Sequence, residues 1–144
     1  MTTVRHLLQN KAEGLWTISP GAMVIDGLKL MAEKNIGALI VVEGEQLAGI
    51  FSERDYARKI ILKGRFSHDT TVKDIMTSDV VSVKLDQSIE ECMMLLSNYR
   101  IRHLPVVENE KLIGIISIGD VVKALLTDKE STIKHLENYI TGAR

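Results

Sequence analysis

Several residue types are scarce in this sequence, and each scarcity argues against a class of protein. The only cysteine is Cys92, which excludes an internal disulfide and fits a reducing compartment. The formal net charge is −1, and two phenylalanines and three tyrosines are too few for a base-stacking surface, so we expect no nucleic-acid partner. No apolar run approaches the roughly 20 residues of a membrane span, and the N-terminus lacks the apolar segment of a secretory signal. We therefore expect a cytoplasmic protein without a membrane partner.

The motifs of several enzyme classes are also missing. Neither G-x-x-x-x-G-K-[ST] nor G-x-G-x-x-G occurs, so the usual glycine-rich phosphate loops are excluded. The G-x-S-x-G turn of many hydrolases does not occur either. The four histidines are scattered, with no two at the spacing of metal ligands. We therefore expect no metal site, no metal requirement for folding, and no catalytic activity.

What the chain does contain is an internal repeat. Ile36–Asp55 aligns without a gap to Ile101–Asp120 at an offset of 65, and 11 of the 20 positions are identical. Unrelated stretches of this length agree at roughly one or two positions, so the chain contains a duplicated structural unit. Val72–Met76, which precedes the second copy, resembles the N-terminal residues from Val4 onward at an offset of 68.

Each copy has the same predicted order of elements, namely a short strand, a helix, two strands around a polar turn, and a helix. This order predicts an α/β (α+β) fold with a first repeat at residues 4–64 and a second at 72–127. Residues 128–144 form a predicted tail helix, and its apolar stripe indicates docking on the body. Because about 60 residues bury too little surface for comfortable stability, we expect the two repeats to share one core as a single module.

A polar Ser-x-x-Asp pair closes each copy at a predicted strand-to-helix junction, as Ser52/Asp55 and as Ser117/Asp120. Serine followed by an acid three residues later is a capping box, which stabilises a helix by about 1 kcal/mol. A helix start also attracts phosphate, and an aspartate there can accept hydrogen bonds from a ribose diol. Both interpretations remain open, and retention of the same two residues in both copies favours the ligand.

The positions at which the copies differ are polar and lie near the predicted strand ends. The differing pairs are Gly37 and Arg102, Ala38 and His103, Arg54 and Gly119, and Ser19 and Lys84. Arg102 and His103 follow Arg100, which makes a local cationic cluster of the size that binds a phosphate. The alternative interpretation is that Arg102 and His103 are simply solvated side chains at the end of a strand. Two related pockets would therefore differ in charge, and the one with Arg54, Arg102 and His103 would prefer the more highly charged ligand.

These features together resemble the cystathionine β-synthase (CBS) domain, present as a tandem pair over residues 4 to about 126. The resemblance rests on the endings GIFSERD and GIISIGD, the stretch YRIRHLPVV and the prelude VKDIMT. It implies two repeats packed through their sheets by a pseudo-twofold axis. It also implies clefts between them that bind adenosine ligands such as AMP, ADP, ATP, NAD or S-adenosylmethionine.

The resemblance further implies which residues contact such a ligand. Asp55 would act with Arg102 and His103 in one cleft, and Asp120 with Thr17 and Ala38 in the other. The implied set is Thr17, Ile18, Gly37, Ala38, Ser52, Asp55, Ser82, Val83, Arg102, His103, Ser117 and Asp120. The differences between the copies add Arg54 and Lys84 to the predicted nucleotide-binding residues.

The most direct functional hypothesis is a stand-alone regulatory or sensor module that binds an adenine nucleotide and forms a homodimer. The alternative is a structural or protein-interaction subunit with vestigial clefts, which regulates a separate enzyme or transporter. An enzyme acting on nucleotides is the weakest hypothesis, because no activated nucleophile is evident.

Overall fold

The computed structural model describes residues 2–11 and 15–141. The helices are α1 (Val4–Gln9), α2 (Val24–Lys34), α3 (Glu53–Tyr56), α4 (Val72–Ile75), α5 (Ile89–Tyr99) and α6 (Ile118–Thr141). The strands are β1 (Thr17–Ile18), β2 (Ala38–Glu43), β3 (Gln46–Ser52), β4 (His103–Glu108) and β5 (Lys111–Ser117). The predicted α/β class and the order of elements in the first repeat are confirmed.

An antiparallel hairpin lies at the centre of each repeat. β2 pairs with β3 and β4 pairs with β5, and both hairpins shift register by one residue at equivalent valines. Asn109 and Glu110 have φ values of 51° and 66°, as the tight type of hairpin turn requires. β1 adds a parallel strand to the first hairpin, whereas the second has only a single parallel bridge between Val83 and Val106.

The core consists of two clusters, and the short helices α1 and α4 are exchanged between them. Val4 of α1 packs with the second repeat, in the cluster that contains Ile116. Val72 and Ile75 of α4 pack with the first repeat, in the cluster that contains Phe51. The expectation of one shared core is therefore wrong in that form. The repeats are instead joined because each cluster includes a helix from the other half of the chain.

The helical segment that begins with α3 is wider than an ordinary α-helix over part of its length. The segment from Glu53 to Leu62 is helical as predicted, but Ala57–Ile61 forms a π-helix directly after α3. Gly64 has a φ of 67°, its N–H bonds to the Ile61 carbonyl, and it ends the helix as predicted.

The last helix corrects two predictions. α6 is one helix of 24 residues, not a short helix followed by a separate tail, because no glycine or proline interrupts it near Thr127. Ile133 and Leu136 are 54% and 57% exposed, so this part of the apolar stripe does not dock on the body. Residues 142–144 of the predicted tail lie outside the described residues. Within the part of the chain that the structure describes, no helix is both long and apolar enough to cross a membrane.

Two equivalent helix positions carry small residues, as a close helix contact requires. A Cβ on Gly27 would lie 2.7 Å from Cε2 of Phe51, so only glycine fits without rearrangement. Cys92 at the equivalent position is fully buried. Burial, followed by the charges of Glu91 and Glu90, raises the pKa of the Cys92 thiol to about 11. The thiol is therefore protonated at neutral pH, and Cys92 has a packing role.

Candidate functional site

Both Ser-x-x-Asp segments lie at strand-to-helix junctions and cap the helix that follows. Asp55 donates its N–H to Ser52 Oγ at 3.2 Å, and the Ser52 N–H donates to Asp55 Oδ2 at 3.0 Å. Ser117 and Asp120 make the same two bonds at 3.1 and 2.8 Å. The capping interpretation is confirmed in both copies, so any contact with a ligand is additional to it.

The other carboxylate oxygen of Asp55 is held by two further donors. Asp55 Oδ1 accepts the Thr77 hydroxyl at 3.3 Å and lies 3.2 Å from Lys59 Nζ. Thr77 is fixed in place because its N–H and carbonyl both bond to Ile50 at 2.9 Å. Asp55 is only 8% exposed, so its buried charge is compensated by these donors.

A cavity of about 600 Å³ lies between the two repeats, beside this junction. Pockets of about 300–1,000 Å³ are typical of small-molecule sites. The cavity is lined by Gly37, Ala38, Ile50, Ser52, Glu53, Arg54, Asp55, Thr77, Asp79, Val80, Val81, Tyr99, Arg100, Ile101, Arg102 and His103. Both repeats supply walls, and the lining includes three arginines and one histidine together with the acidic side chains of Glu53, Asp55 and Asp79.

Seven of the residues predicted for the site meet in this cavity, namely Gly37, Ala38, Ser52, Arg54, Asp55, Arg102 and His103. The sequence separation between the Asp55 junction and the Arg102–His103 pair is almost 50 residues, so the fold brings them together across the repeat boundary. The predicted grouping of Asp55 with Arg102 and His103 thus matches the geometry. Their binding role remains a prediction.

The other predicted residues lie elsewhere. Thr17 and Ile18 pair with Ile40 and Val41 at the edge of the first sheet. Val83 is buried in the second core cluster, while the flanking Ser82 and Lys84 are exposed. Because the Val83 side chain is needed in the core, the preceding segment from Asp79 to Val81 lines the cavity instead. Ser117 and Asp120 do not line this cavity, although Ser117 pairs with the lining residue His103 in the second hairpin.

Sequence reasoning missed several residues of the cavity wall. Arg100 has a φ of 54° and ends α5 in the left-handed conformation, as Asn35 does in α2 with a φ of 55°. This turn brings Tyr99 and Ile101 to the cavity together with Arg100. Arg100 was visible in the cationic cluster, but Tyr99 carries no local signal. Thr77 is the last residue of the VKDIMT prelude, and its place in that motif is the one sequence feature that could have indicated a role in the cavity.

The electrostatic environment of His103 keeps its imidazole neutral at pH 7. Burial is the main cause that lowers the pKa of His103 below its usual value. The positive charges of Lys11 and Arg102 lower it further, against the opposing effect of Asp120. A neutral imidazole beside an arginine can gain a proton when an anion arrives, so His103 can adjust its charge to a ligand.

The second junction has a different partner from the one predicted. Asp120 Oδ2 lies 2.9 Å from Lys11 Nζ, whereas the resemblance placed Asp120 with Thr17 and Ala38. Asp120 and Lys11 line a second cavity of about 440 Å³, between α1 and α6. In the described residues, no group of three or more His, Cys, Asp or Glu side chains could hold a metal ion.

Two repeats of one α/β unit, with a cavity between them, define a paired-repeat module, and the comparisons identify its family. The CBS domain matches residues 11–62 and 72–127. The mitochondrial CBS domain-containing protein CBSX3 of Arabidopsis thaliana is 41% identical over 150 residues, which cover 98% of this chain and 73% of that protein. The chain therefore belongs to the CBS-domain family.

Solved structures share the fold. A protein with CBS domains from Burkholderia ambifaria MC40-6 superposes with a TM-score of 0.83 at 50% identity, covering 88% of this chain and 96% of that one. The CBS domain pair of protein MJ0100, in complex with 5′-methylthioadenosine and S-adenosyl-L-methionine, superposes with a TM-score of 0.78. That pair is 22% identical, over 89% of this chain and 98% of its own, so it supports the fold alone.

Proposed function

We propose that this chain is a non-catalytic regulatory module that binds an adenine nucleotide such as AMP, ADP, ATP or NAD in the 600 Å³ cavity. The observation that carries the proposal is the meeting of the Asp55 junction with Arg102 and His103 across one cavity. The MJ0100 pair, which shares the fold, is bound to adenosine ligands, and the proposal extends that ligand class to this chain.

The ribose is assigned to Asp55. Its carboxylate has about four acceptor positions, and Ser52, Thr77 and Lys59 already donate to them. The contact with the Thr77 hydroxyl is the longest of the hydrogen bonds, at 3.3 Å. A ribose hydroxyl can take the place of that donor without disturbing the helix cap, which uses the other oxygen.

The phosphate is assigned to the arginines of the cavity wall. Arg100 and Arg102 lie in the cavity wall with His103, and Arg54 adds a fourth basic side chain. Guanidinium groups form bidentate hydrogen bonds with phosphate oxygens, and a ligand without a phosphate cannot form these bonds. The cavity therefore favours a phosphorylated nucleoside over methylthioadenosine.

Isothermal titration calorimetry and thermal shift assays with AMP, ATP, NAD and S-adenosylmethionine test this function. At 100 times its dissociation constant, a ligand adds about 2.7 kcal/mol to the free energy of unfolding. Failure of all four to bind at millimolar concentration would reject the proposal. So would binding that is unchanged when Asp55 and Asp120 are both replaced by alanine. Recovery of intact nucleotide after incubation checks that no turnover occurs.

Protonation of His103 is expected to strengthen nucleotide binding as the pH falls below 7, toward the lowered pKa of the free imidazole. The free protein holds His103 with a lowered pKa, and a bound phosphate raises that pKa because it favours the charged imidazole. Between these two pKa values the complex holds one more proton than the free protein. The affinity then rises by at most about tenfold per pH unit. Calorimetry with ATP across this range measures the slope.

The matched control for this pH dependence is His103→Gln, since a nucleotide phosphate also titrates near pH 6. In this variant the titration of the nucleotide phosphate still contributes to the pH dependence of the affinity, but the titration of the imidazole no longer does. An identical slope in the wild-type protein and the variant would contradict a role for His103.

The exposed face of α6 favours protein interaction as a second candidate function. Leu126, Ile133 and Leu136 are each more than half exposed on this helix. A homodimer, or a separate protein target, would cover such a surface. The decisive result for this alternative is a blank nucleotide screen together with a partner whose capture is lost in Ile133→Ser/Leu136→Ser. A cytoplasmic location also remains a prediction, because the Arabidopsis relative is described as mitochondrial.

A further inference from the structure

The first repeat holds an ammonium group beside the aspartate of its junction. Lys59 Nζ lies 3.2 Å from Asp55 Oδ1 and donates to the Ile75 carbonyl at 2.9 Å. The ammonium group thus bridges the junction and the last residue of α4, the helix that comes from the other half of the chain. It compensates the carboxylate at the oxygen that the helix cap does not use.

The second repeat has an alanine in place of this lysine. Ala124 corresponds to Lys59 at the offset of 65, and it lines the 440 Å³ cavity between α1 and α6. The correspondence holds in the packing, because the next residues, Ile60 and Leu125, pack in the first and the second core cluster respectively. The second repeat therefore has open space where the first repeat has an ammonium group.

The two acceptors of the Lys59 ammonium group have counterparts on the wall of this cavity. Asp120 corresponds to Asp55 at the offset of 65, and Leu7 corresponds to Ile75 at the offset of 68. The second offset also describes the structure, because α1 and α4 both begin at the corresponding valines. The cavity is thus bounded by the residues that bind an ammonium group in the other repeat.

Both counterpart acceptors are available to a ligand. The Lys11 ammonium group and the Ser117 N–H bond to Asp120 Oδ2, and among the described residues no donor reaches Asp120 Oδ1. The Lys11 N–H bonds to the Leu8 carbonyl, so it does not occupy the carbonyl of Leu7. Burial raises the pKa of Asp120, but Ser117 and Lys11 outweigh burial and hold that pKa below its usual value, so the carboxylate is charged.

The same cavity also has donors for an anionic group. Lys123 lines it and, within the part of the chain that the structure describes, forms no ion pair. His6 lines it as well, and His6 Nδ1 accepts the Thr3 N–H at 3.0 Å. The ring proton therefore lies on Nε2, which makes that nitrogen a donor. The cavity offers acceptors at Asp120 and donors at Lys123 and His6.

The charges on the wall favour a ligand that carries both signs. Two lysines and two aspartates line the cavity, so the wall is neutral overall, namely Lys11, Lys123, Asp120 and Asp128. We infer that this cavity binds a small zwitterion, a free α-amino acid, with its ammonium group at Asp120 Oδ1 and the Leu7 carbonyl and its carboxylate at Lys123. A simple amine would meet both lysines, and a simple carboxylate both aspartates, without the compensating contact. The inference concerns a second cavity and does not rest on nucleotide binding.

Isothermal titration calorimetry of the full chain with L-alanine and L-leucine tests the inference. Binding at millimolar concentration is expected for at least one of them. Two analogues each remove one charge from the better ligand, namely its N-acetyl derivative, which lacks the ammonium group, and its decarboxylated amine. Each is expected to bind about tenfold more weakly or worse, because each loses a hydrogen bond to a charged group.

Ala124→Lys is the variant that the other repeat suggests, because it supplies the lysine found at the equivalent position. Its ammonium group is expected to occupy the acceptors and to weaken amino-acid binding about tenfold or more. Thr132→Lys is the matched control. It adds the same charge two turns further along α6, at an exposed residue that does not line the cavity, and it is expected to leave the affinity within about twofold.

Failure of both amino acids to bind the wild-type chain would overturn the inference. So would an N-acetyl derivative or an amine that binds as tightly as the amino acid, or an unchanged affinity in Ala124→Lys. If Ala124→Lys does not fold, the comparison of the amino acid with its two analogues on the wild-type chain decides. None of these results bears on the nucleotide proposal, which is tested with AMP and concerns the cavity at Asp55.

Discussion

Replacing Asp55 by asparagine is expected to weaken AMP binding about 100-fold while the chain remains folded. A hydrogen bond to a charged group contributes about 1.5–3 kcal/mol, and a 100-fold change in affinity corresponds to about 2.7 kcal/mol. Asparagine retains an oxygen that can accept the Ser52 N–H, so the helix cap survives in part. It removes the negative charge that a ribose diol and Lys59 both use. Calorimetry with AMP gives the affinity, and thermal unfolding gives the stability.

The matched control is a cap outside the cavity. Ser88 Oγ accepts the N–H of Glu91 at 3.1 Å at the start of α5, and neither residue lines the 600 Å³ cavity. Glu91→Gln makes the same change from acid to amide near a helix start, and it is expected to leave AMP affinity within about twofold. If Asp55→Asn lowers the melting temperature but not the affinity, Asp55 is only a cap, and the ribose assignment is wrong.

The hairpins and the two junctions could be predicted because their signals are local. Alternating apolar residues on both sides of a polar turn define each hairpin, and Ser52 and Asp55 satisfy each other within one helical turn. The grouping of Asp55 with Arg102 and His103 is not local. It came from the resemblance to a known family, and no spacing in the sequence could have provided it.

The packing of α1 and α4 and the ion pair of Lys11 could not be predicted, because they depend on contacts between residues that are distant in the sequence. The apolar residues of α1 and α4 indicate burial, but Val4 and Val72 occupy equivalent positions and pack against opposite repeats. A lysine eleven residues from the N-terminus gives no sign that its ammonium group reaches Asp120. No glycine or proline interrupts the chain near Thr127, so α6 continues through the boundary at which a separate tail helix was predicted.

The largest expected change in stability is that of Phe51→Ala. Phe51 lies in the core cluster that also contains Val72 and Ile75 of the exchanged helix α4. Phe51 is fully buried and lies against Gly27, so its removal leaves a cavity in the first core cluster. Replacing a buried phenylalanine by alanine costs about 3–5 kcal/mol, a large share of the 5–15 kcal/mol that stabilises a typical domain. Urea unfolding, followed by far-UV circular dichroism and by the fluorescence of Trp16, measures the loss.

Both probes are expected to report the same single transition in the wild-type protein and in Phe51→Ala. Trp16 is the only tryptophan, and Lys34 of α2 lies 4.2 Å from its ring centroid, so its fluorescence reports on the first repeat. Circular dichroism reports on all helices, including those of the second core cluster. Val72 and Ile75 belong to the first cluster and Val4 to the second, so unfolding of either cluster releases a helix that the other half of the chain supplies. Phe66→Ala is the matched control, because Phe66 is 63% exposed and its loss is expected to cost less than about 1 kcal/mol. Two separated transitions in Phe51→Ala would show that the repeats unfold independently, and the exchanged helices would then not couple them.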